Sequence, residues 1–340
     1  MKEKKVVVGF WFRLLADIID AIILGVFGFL LVIPFKGIFY KLGENGLFIG
    51  LFITFLYTGI LQSHIGRGQS LAKKMLKIQV LNLDGTYLSL PKSFLRYSVI
   101  ALIFYNSWIW MALSSSFPFL NNIIIQSAFT YFIVFLFLGV TILVVFHPLK
   151  RGIHDLLAKS IVVRKEAFEV EKIDSLNIKS KVNRAFVIWG TCCILLVGFS
   201  FYMIAKLNNS MPLLQELTKI QKIVGNQTEF SNISASHNWR SFTNSEGIET
   251  KTTSILIRPF LHKKEFDNEA FKMEEVQKAV KVVVKSYSKL DECNFINVQV
   301  RTGFNIGISS LYTTDNIVFD NKGNLLNHEK EKNKSIKIGS

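Results

Sequence analysis

Residues 10–35 read FWFRLLADIIDAIILGVFGFLLVIPF, a run long and apolar enough to cross a bilayer. Three charges interrupt it: Arg13, Asp17 and Asp20. Their spacing of four and three puts them on one face of a helix. An ionised side chain at the centre of a spanning helix costs roughly 2.5–3.5 kcal/mol, so a chain that keeps three either pairs them or uses them. Lys2, Lys4 and Lys5 give a basic start, yet the segment does not read as a signal peptide. The charges break its apolar core, and no small-residue cleavage site follows.

The rest of the chain agrees with a membrane setting. Half of the 340 residues are hydrophobic, 30 are Phe and the mean hydropathy is +0.33, more than a soluble surface tolerates. Five segments are predicted to span: Phe10–Phe35, Asn45–Ser63, Tyr97–Ser116, Ile123–Phe146 and Ala185–Ala205. No charge occurs between Arg96 and Lys150. Ser114 to Pro118, with Asn121 and Asn122, supplies the turn that divides this stretch into a hairpin.

Basic residues set the orientation. With the N-terminus cytoplasmic, 18 Lys and Arg fall on inner segments and only Lys36 and Lys41 on the short outer loops. The expected location is therefore the plasma or inner membrane, multi-pass, with residues 206–340 outside. Residues 1–205 hold 21 basic and 10 acidic residues, against 19 and 15 in 206–340, so most of the net +15 reflects topology and contact with the lipid bilayer. No aromatic-interleaved basic motif accompanies the charge, and a nucleic-acid partner is not expected. Cys192, Cys193 and Cys293 form no disulfide framework and read as small packing residues.

The predicted fold class is an α-helical membrane bundle of five spans followed by a small exported α+β domain. Residues 1–165 hold four spans, 166–184 a charged cytoplasmic connector, 185–205 the fifth span and 206–340 the exported domain. Between spans, Leu71, Met75, Ile78 and Leu81 predict an amphipathic element at the membrane interface. Alternatively, Lys77–Leu81 and Thr86–Leu90 pair as a hairpin about Asp84 and Gly85. A second amphipathic piece is expected over Ile153–Val163. In the exported part, helices are predicted at Pro212–Val224 and Glu269–Leu290. Strands are predicted at Thr252–Pro259, Asn294–Arg301 and Ile308–Thr313, with a last short hairpin about Asp320 to Gly323 and a disordered Lys-rich tail after His328.

Three ordered patches, covering about residues 5–165, resemble one family. Gly9 to Ala16 with Asp20 forms the first, and Ser70, Lys73, Leu76, Val80 and Gly85 the second. The third comprises Arg151, His154, Asp155, Leu156, Ala158, Ser160, Val162 and Val163. Together they resemble RDD family membrane proteins, named for one arginine and two aspartates. The resemblance makes Arg13, Asp20 and Asp155 the naming residues and Asp17 additional, and implies a role in transport without naming a substrate. Ala72, Lys77 and Lys159 stand where glycines are usual, and Ser160 where threonine is usual.

Two functional readings follow. In the first, Asp17 and Asp20 bind a proton or small cation, with Arg13 as their counter-charge, because two carboxylates three residues apart repel and favour exchange of a proton for a cation. Asp155, with Lys73 and Arg151, then closes a cytoplasmic gate or caps an interfacial helix. One copy has too few spans for an internally repeated carrier, so this reading expects a homo-oligomer. In the second, Arg13 pairs with Asp17, Asp20 is satisfied by Arg96 or Tyr57, and the spans anchor an exported domain that binds a partner or ligand. Neither needs a catalytic residue, a cofactor or a metal. His64, His147 and His154 lack ligand-pair spacing, and no hydrolase, phosphate-loop or dinucleotide motif is present.

Overall fold

The computed structural model describes residues 6–121, 123–165, 179–206, 211–243 and 249–338. The chain divides into two units, one of Met1–Gly28 with Leu47–Met203 and the other of Phe29–Gly46 with Ile204–Ile338.

The first unit is helical because its segments are too apolar to leave backbone groups unpaired in lipid. Helix α1 spans Phe10–Leu42, α2 Leu47–Leu61, α4 Leu90–Phe104, α5 Asn106–Ser116, α6 Ile123–Phe146 and α8 Lys179–Lys206. Between them, α3 (Leu71–Met75) leads into β1 (Ile78–Asn82), and α7 (Ile153–Leu157) into β2 (Ser160–Arg164).

Three helices (α1, α6 and α8) are long and apolar enough to cross a membrane, and the α4–α5 pair makes a fourth candidate although it bends by 81°. The sequence predicts five spans. Helix α2 has 15 residues, about 22 Å at 1.5 Å per residue, short of a hydrocarbon core of about 30 Å. The predicted third span, Tyr97–Ser116, is likewise broken, with Tyr105 between its two helices. The connector expected at 166–184 lies outside the described residues up to 178, and α8 begins at Lys179.

Strands β1 and β2 pair antiparallel, Ile78 facing Arg164, Val80 facing Val162 and Asn82 facing Ser160. The hairpin alternative within 77–90 does not form, because β1 takes its partner from the far end of the domain. Val6–Val8 joins the other edge of β2: the Val8 N–H donates to the Val162 carbonyl at 3.0 Å, and the Arg164 N–H to the Val6 carbonyl at 2.9 Å. Val8, Ala16, Ala72, Ile78, Val80, Leu88, Ala158 and Val162 form one buried core under this ladder. The two predicted amphipathic elements are thus each a five-residue helix followed by a buried strand.

The second unit contains a five-stranded sheet in the order β3 (Ser231–Thr243), β4 (Glu249–Phe260), β5 (Phe295–Asn305), β6 (Ser309–Asp320) and β7 (Leu325–Ile338). Only β4 and β5 run parallel, joined by α10 (Lys263–Asp267) and α11 (Glu269–Ser286). Helices α9 (Met211–Gln227) and α11 cover one face, setting Ile220, Val224, Val276, Ala279 and Val283 against Ile255, Ile257, Ile296, Val298 and Ile317. Lys272 is buried on α11 and pairs with buried Asp315 on β6. At the end of α1, Phe39 packs tilted and Tyr40 edge-on against Phe304, with centroids 5.5 and 5.2 Å apart. Strand β3 stands where no strand is predicted from the sequence. The tail expected to be disordered pairs with β6 as β7, and a charged, Lys-rich composition is also what an edge strand carries.

Lys77 and Lys159 each end a five-residue helix with φ of 54° and 52°. The left-handed region costs an L-residue roughly 1–2 kcal/mol, partly offset in glycine by the entropy of the unfolded chain. Lys77→Gly and Lys159→Gly should therefore each stabilise the domain by about 0.5–1 kcal/mol. Thermal melting of the purified protein in detergent checks this, and an unchanged or lower midpoint would sink it.

Candidate functional site

Two charge clusters, one fully buried and one partly open, are built on α1 and its neighbours in the first unit. The first centres on Asp155, the third residue of α7 and fully buried. Each carboxylate oxygen takes a guanidinium: Arg13 Nη1 donates to Oδ2 at 2.6 Å, and Arg96 Nε to Oδ1 at 2.8 Å. The Gly152 N–H donates to Oδ2 and the Ser160 hydroxyl to Oδ1, both at 3.2 Å. Arg13 Nε also donates to the Val8 carbonyl at 3.1 Å, and Arg96 Nη1 to Gln62 Oε1. One carboxylate thus ties together the N-terminal segment, α1, α4, α7 and β2.

Burial opposes charge on Asp155, but the Arg96 and Arg13 guanidiniums outweigh it and hold its carboxyl well below the ordinary range. Burial pushes His154 down to about 4, and burial with the Arg151 charge does the same to His147. Both imidazoles are therefore neutral near pH 7, and the two arginines are the effective counter-charge of Asp155. Arg151 staples the cluster from outside, donating from Nε to the Ser160 carbonyl at 2.9 Å and from Nη2 to the Asp155 carbonyl at 3.2 Å.

The second cluster holds Asp17, Asp20 and Lys73. Asp20 is buried and accepts from the Tyr57 hydroxyl at 2.7 Å, from the Ala72 N–H at 3.1 Å and from the Ser70 hydroxyl. Lys73, buried on α3, puts Nζ 3.0 Å from Asp17 Oδ1 and 4.0 Å from Asp20 Oδ2. The Asp17 side chain is 67% exposed, against 3% for Lys73, so the pair has one buried and one open end.

These pairings differ from the expected ones. Arg13 turns to Asp155 rather than Asp17, since the deeply buried carboxylate offers it two-sided desolvated pairing. Lys73 turns to Asp17 rather than Asp155, and so takes the counter-charge role expected of Arg13. Of the two partners considered for Asp20, Tyr57 bonds to it and Arg96 goes to Asp155. Gln62 and the Ala72 N–H were not foreseen, because nothing local in the chain marks them. Among the described residues no group of three or more His, Cys, Asp or Glu is arranged to hold a metal.

Asp155→Asn would leave Arg13 and Arg96 facing a neutral amide, and breaking a buried pair typically costs about 3–5 kcal/mol. Thermal melting should show a loss of that order, and a wild-type midpoint would refute the central place given to Asp155. The histidines set a pH dependence. Unfolded, they bind protons below about 6.5, whereas folded they resist to about 4, so stability falls as pH drops through that window. The lowered carboxyl of Asp155 keeps its contribution across the same window. His154→Gln should flatten the melting-versus-pH curve between these values, and an equally steep curve would count against a neutral buried His154.

The three patches that resembled one family are therefore the three that the clusters join: Arg13 and Asp20 from the first, Ser70 and Lys73 from the second, Asp155 and Ser160 from the third. No curated protein and no solved structure matches the chain. The model of the RDD family matches residues 7–159. Residues 7–159 thus match the RDD family and include candidate membrane-crossing helices, and the C-terminal half lies outside that match.

Proposed function

We propose that this membrane protein moves a small cation or solute in exchange for protons, with Asp17 and Asp20 as the exchanging carboxylates and Lys73 as their resident counter-charge. The observation that carries the reading is the Lys73 ammonium lying between the two carboxylates, one buried and one exposed. An ammonium held there is itself a cation on a carboxylate pair within a bilayer-length helix, and intramembrane charges of this kind mark ion pathways. Asp155 and Arg151 belong to the cap that closes this end of the domain. The protein is non-catalytic and sits in the plasma or inner membrane.

In this reading the chain crosses five times, with the N-terminus cytoplasmic and residues 206–340 outside. Hydrogen bonding among Val6–Val8, β1 and β2 supports it, because the chain must be on one side at all three places. Helices α1 and α6 are each long enough to cross, so α2 and the α4–α5 pair provide the returns despite their length. The Gly43–Gly46 turn after α1 belongs to the same unit as the five-stranded sheet, with Gly46 against Asn305, which supports putting the sheet on the side that α1 reaches.

A second reading has its own observation. The Asp155 cluster is fully buried and closed by two arginines, which suits a packing lock without turnover. The membrane domain would then anchor an external domain that binds a partner.

Proteoliposomes decide between them. Wild type should show cation-dependent proton movement with Na+, K+ or Li+, Asp20→Asn should abolish it and Asp17→Asn should reduce it, all with normal insertion. Absence of flux in wild type with every cation favours the anchor. Topology is read separately with a membrane-impermeant thiol reagent. Cys293 is buried and unsuited, so Leu326→Cys and Met75→Cys serve as exposed probes. Labelling in intact cells is expected at residue 326 and not at 75, and the reverse pattern would invert the orientation.

A further inference from the structure

The segments 68–82 and 150–164 are the same local structure 82 positions apart. Each begins with a residue of positive φ, Gly68 at 69° and Lys150 at 51°. Each then has an extended N-cap, Ser70 or Gly152, a five-residue helix, a C-cap at Leu76 or Ala158, a lysine of positive φ and a five-residue strand with the same burial order. Hydrogen bonds repeat in step: Lys74 N–H to the Ser70 carbonyl at 2.9 Å against Leu156 to Gly152 at 3.0 Å, and Lys77 to Lys74 at 3.2 Å against Lys159 to Leu156 at 3.2 Å.

The strands then pair with each other about their own equivalent residues. Val80 faces Val162, and the pair Ile78 with Arg164 maps by the same shift onto Asn82 with Ser160. Antiparallel pairing centred on equivalent residues is what a two-fold axis between Val80 and Val162 produces. The helices follow suit, since each motif is preceded by a helix bearing an arginine for Asp155, Arg13 on α1 and Arg96 on α4, and by a second apolar helix, α2 or α6.

Across that axis the charges are reversed. Lys73 and Asp155 are equivalent third residues of α3 and α7, and both are buried. Around Asp155 stand two arginines, giving a cluster of formal charge +1. Around Lys73 stand two aspartates, giving −1.

We propose that the RDD domain is a tandem duplication, residues 10–82 and 90–164, whose halves face each other across a pseudo-two-fold axis through the Val80–Val162 pair and carry charge-reversed versions of one buried ionic site. The axis runs along the membrane normal, because both motifs lie on one side, and this is the arrangement of carriers built from parallel repeats. Resting on the transport reading above, the route for the cation lies between the two halves of a single chain. The homo-oligomer expected from a low span count is then unnecessary, since the repeat is already present within one copy. Only Lys77 with Lys159 and Val80 with Val162 are identical between residues 70–82 and 152–164, which explains why the repeat is silent in the sequence.

Spin labels on the intact protein test the symmetry. Met75, Leu83, Leu157 and Lys165 are exposed and form two equivalent sets. The distance from residue 75 to 165 should equal that from 83 to 157, and 75 to 83 should equal 157 to 165, within the width of the label distributions. Unequal members of either comparison overturn the duplication. Mixing wild type with Asp20→Asn chains in proteoliposomes tests the one-chain route: flux proportional to the wild-type fraction supports it, and a fall with the square of that fraction overturns it. If wild type carries no flux, the transport reading and the route fall together, while the distances still judge the repeat on their own.

Discussion

One buried carboxylate with a guanidinium on each oxygen organises this membrane domain. Asp155 has no exposed surface, and removing a charge from water costs several kcal/mol unless geometry and additional donors restore it. Arg13 and Arg96 from two distant helices, with the Gly152 N–H and the Ser160 hydroxyl from either side of α7, supply that restoration. The N-terminal segment is drawn to β2, α1 to α7 and α4 to α7 by the same requirement. The ladder of β1 and β2 and the small core beneath it close over the result.

The second cluster shares α1 with the first but is built to a different standard. Asp20 is held by three donors, whereas Asp17 meets Lys73 with most of its own side chain exposed. A fully enclosed pair resists exchange because either partner would be left uncompensated. A half-open pair lets water reach one partner without unpacking the other. The asymmetry between two related sites thus assigns rigidity to one and accessibility to the other.

How much of this was legible in the chain depends on how local each signal is. The charged face of α1 was visible because spacing alone defines it, and the three patches because several residues stand in order. Partner choice was not legible. Arg13 is four residues from Asp17 yet bonds to Asp155, since desolvation at a distant site outweighs proximity along a helix. Of the strands in the two amphipathic segments, β1 was legible only as one arm of a local hairpin and β2 was missed, because a five-residue helix and a five-residue strand in series give no clean period. Helix α2 and the break at Tyr105 were read as full spans because apolar composition extends beyond the helical residues. In the second unit, helices and central strands followed from their periodicity, but β3 and β7, polar and at the two edges of the sheet, carry no apolar alternation to announce them.

The 142 residues that separate Arg13 from Asp155 also have a meaning in time. A ribosome adds roughly 5–20 residues per second, so about 7–30 s elapse between synthesis of the arginine and synthesis of its carboxylate. Through that interval the first helix leaves the ribosome with an unmatched guanidinium, and Val6–Val8 has no strand to join. The nascent domain can close only after residue 164 has emerged, so its early helices must be sheltered by the insertion machinery or held near the interface until the last motif arrives.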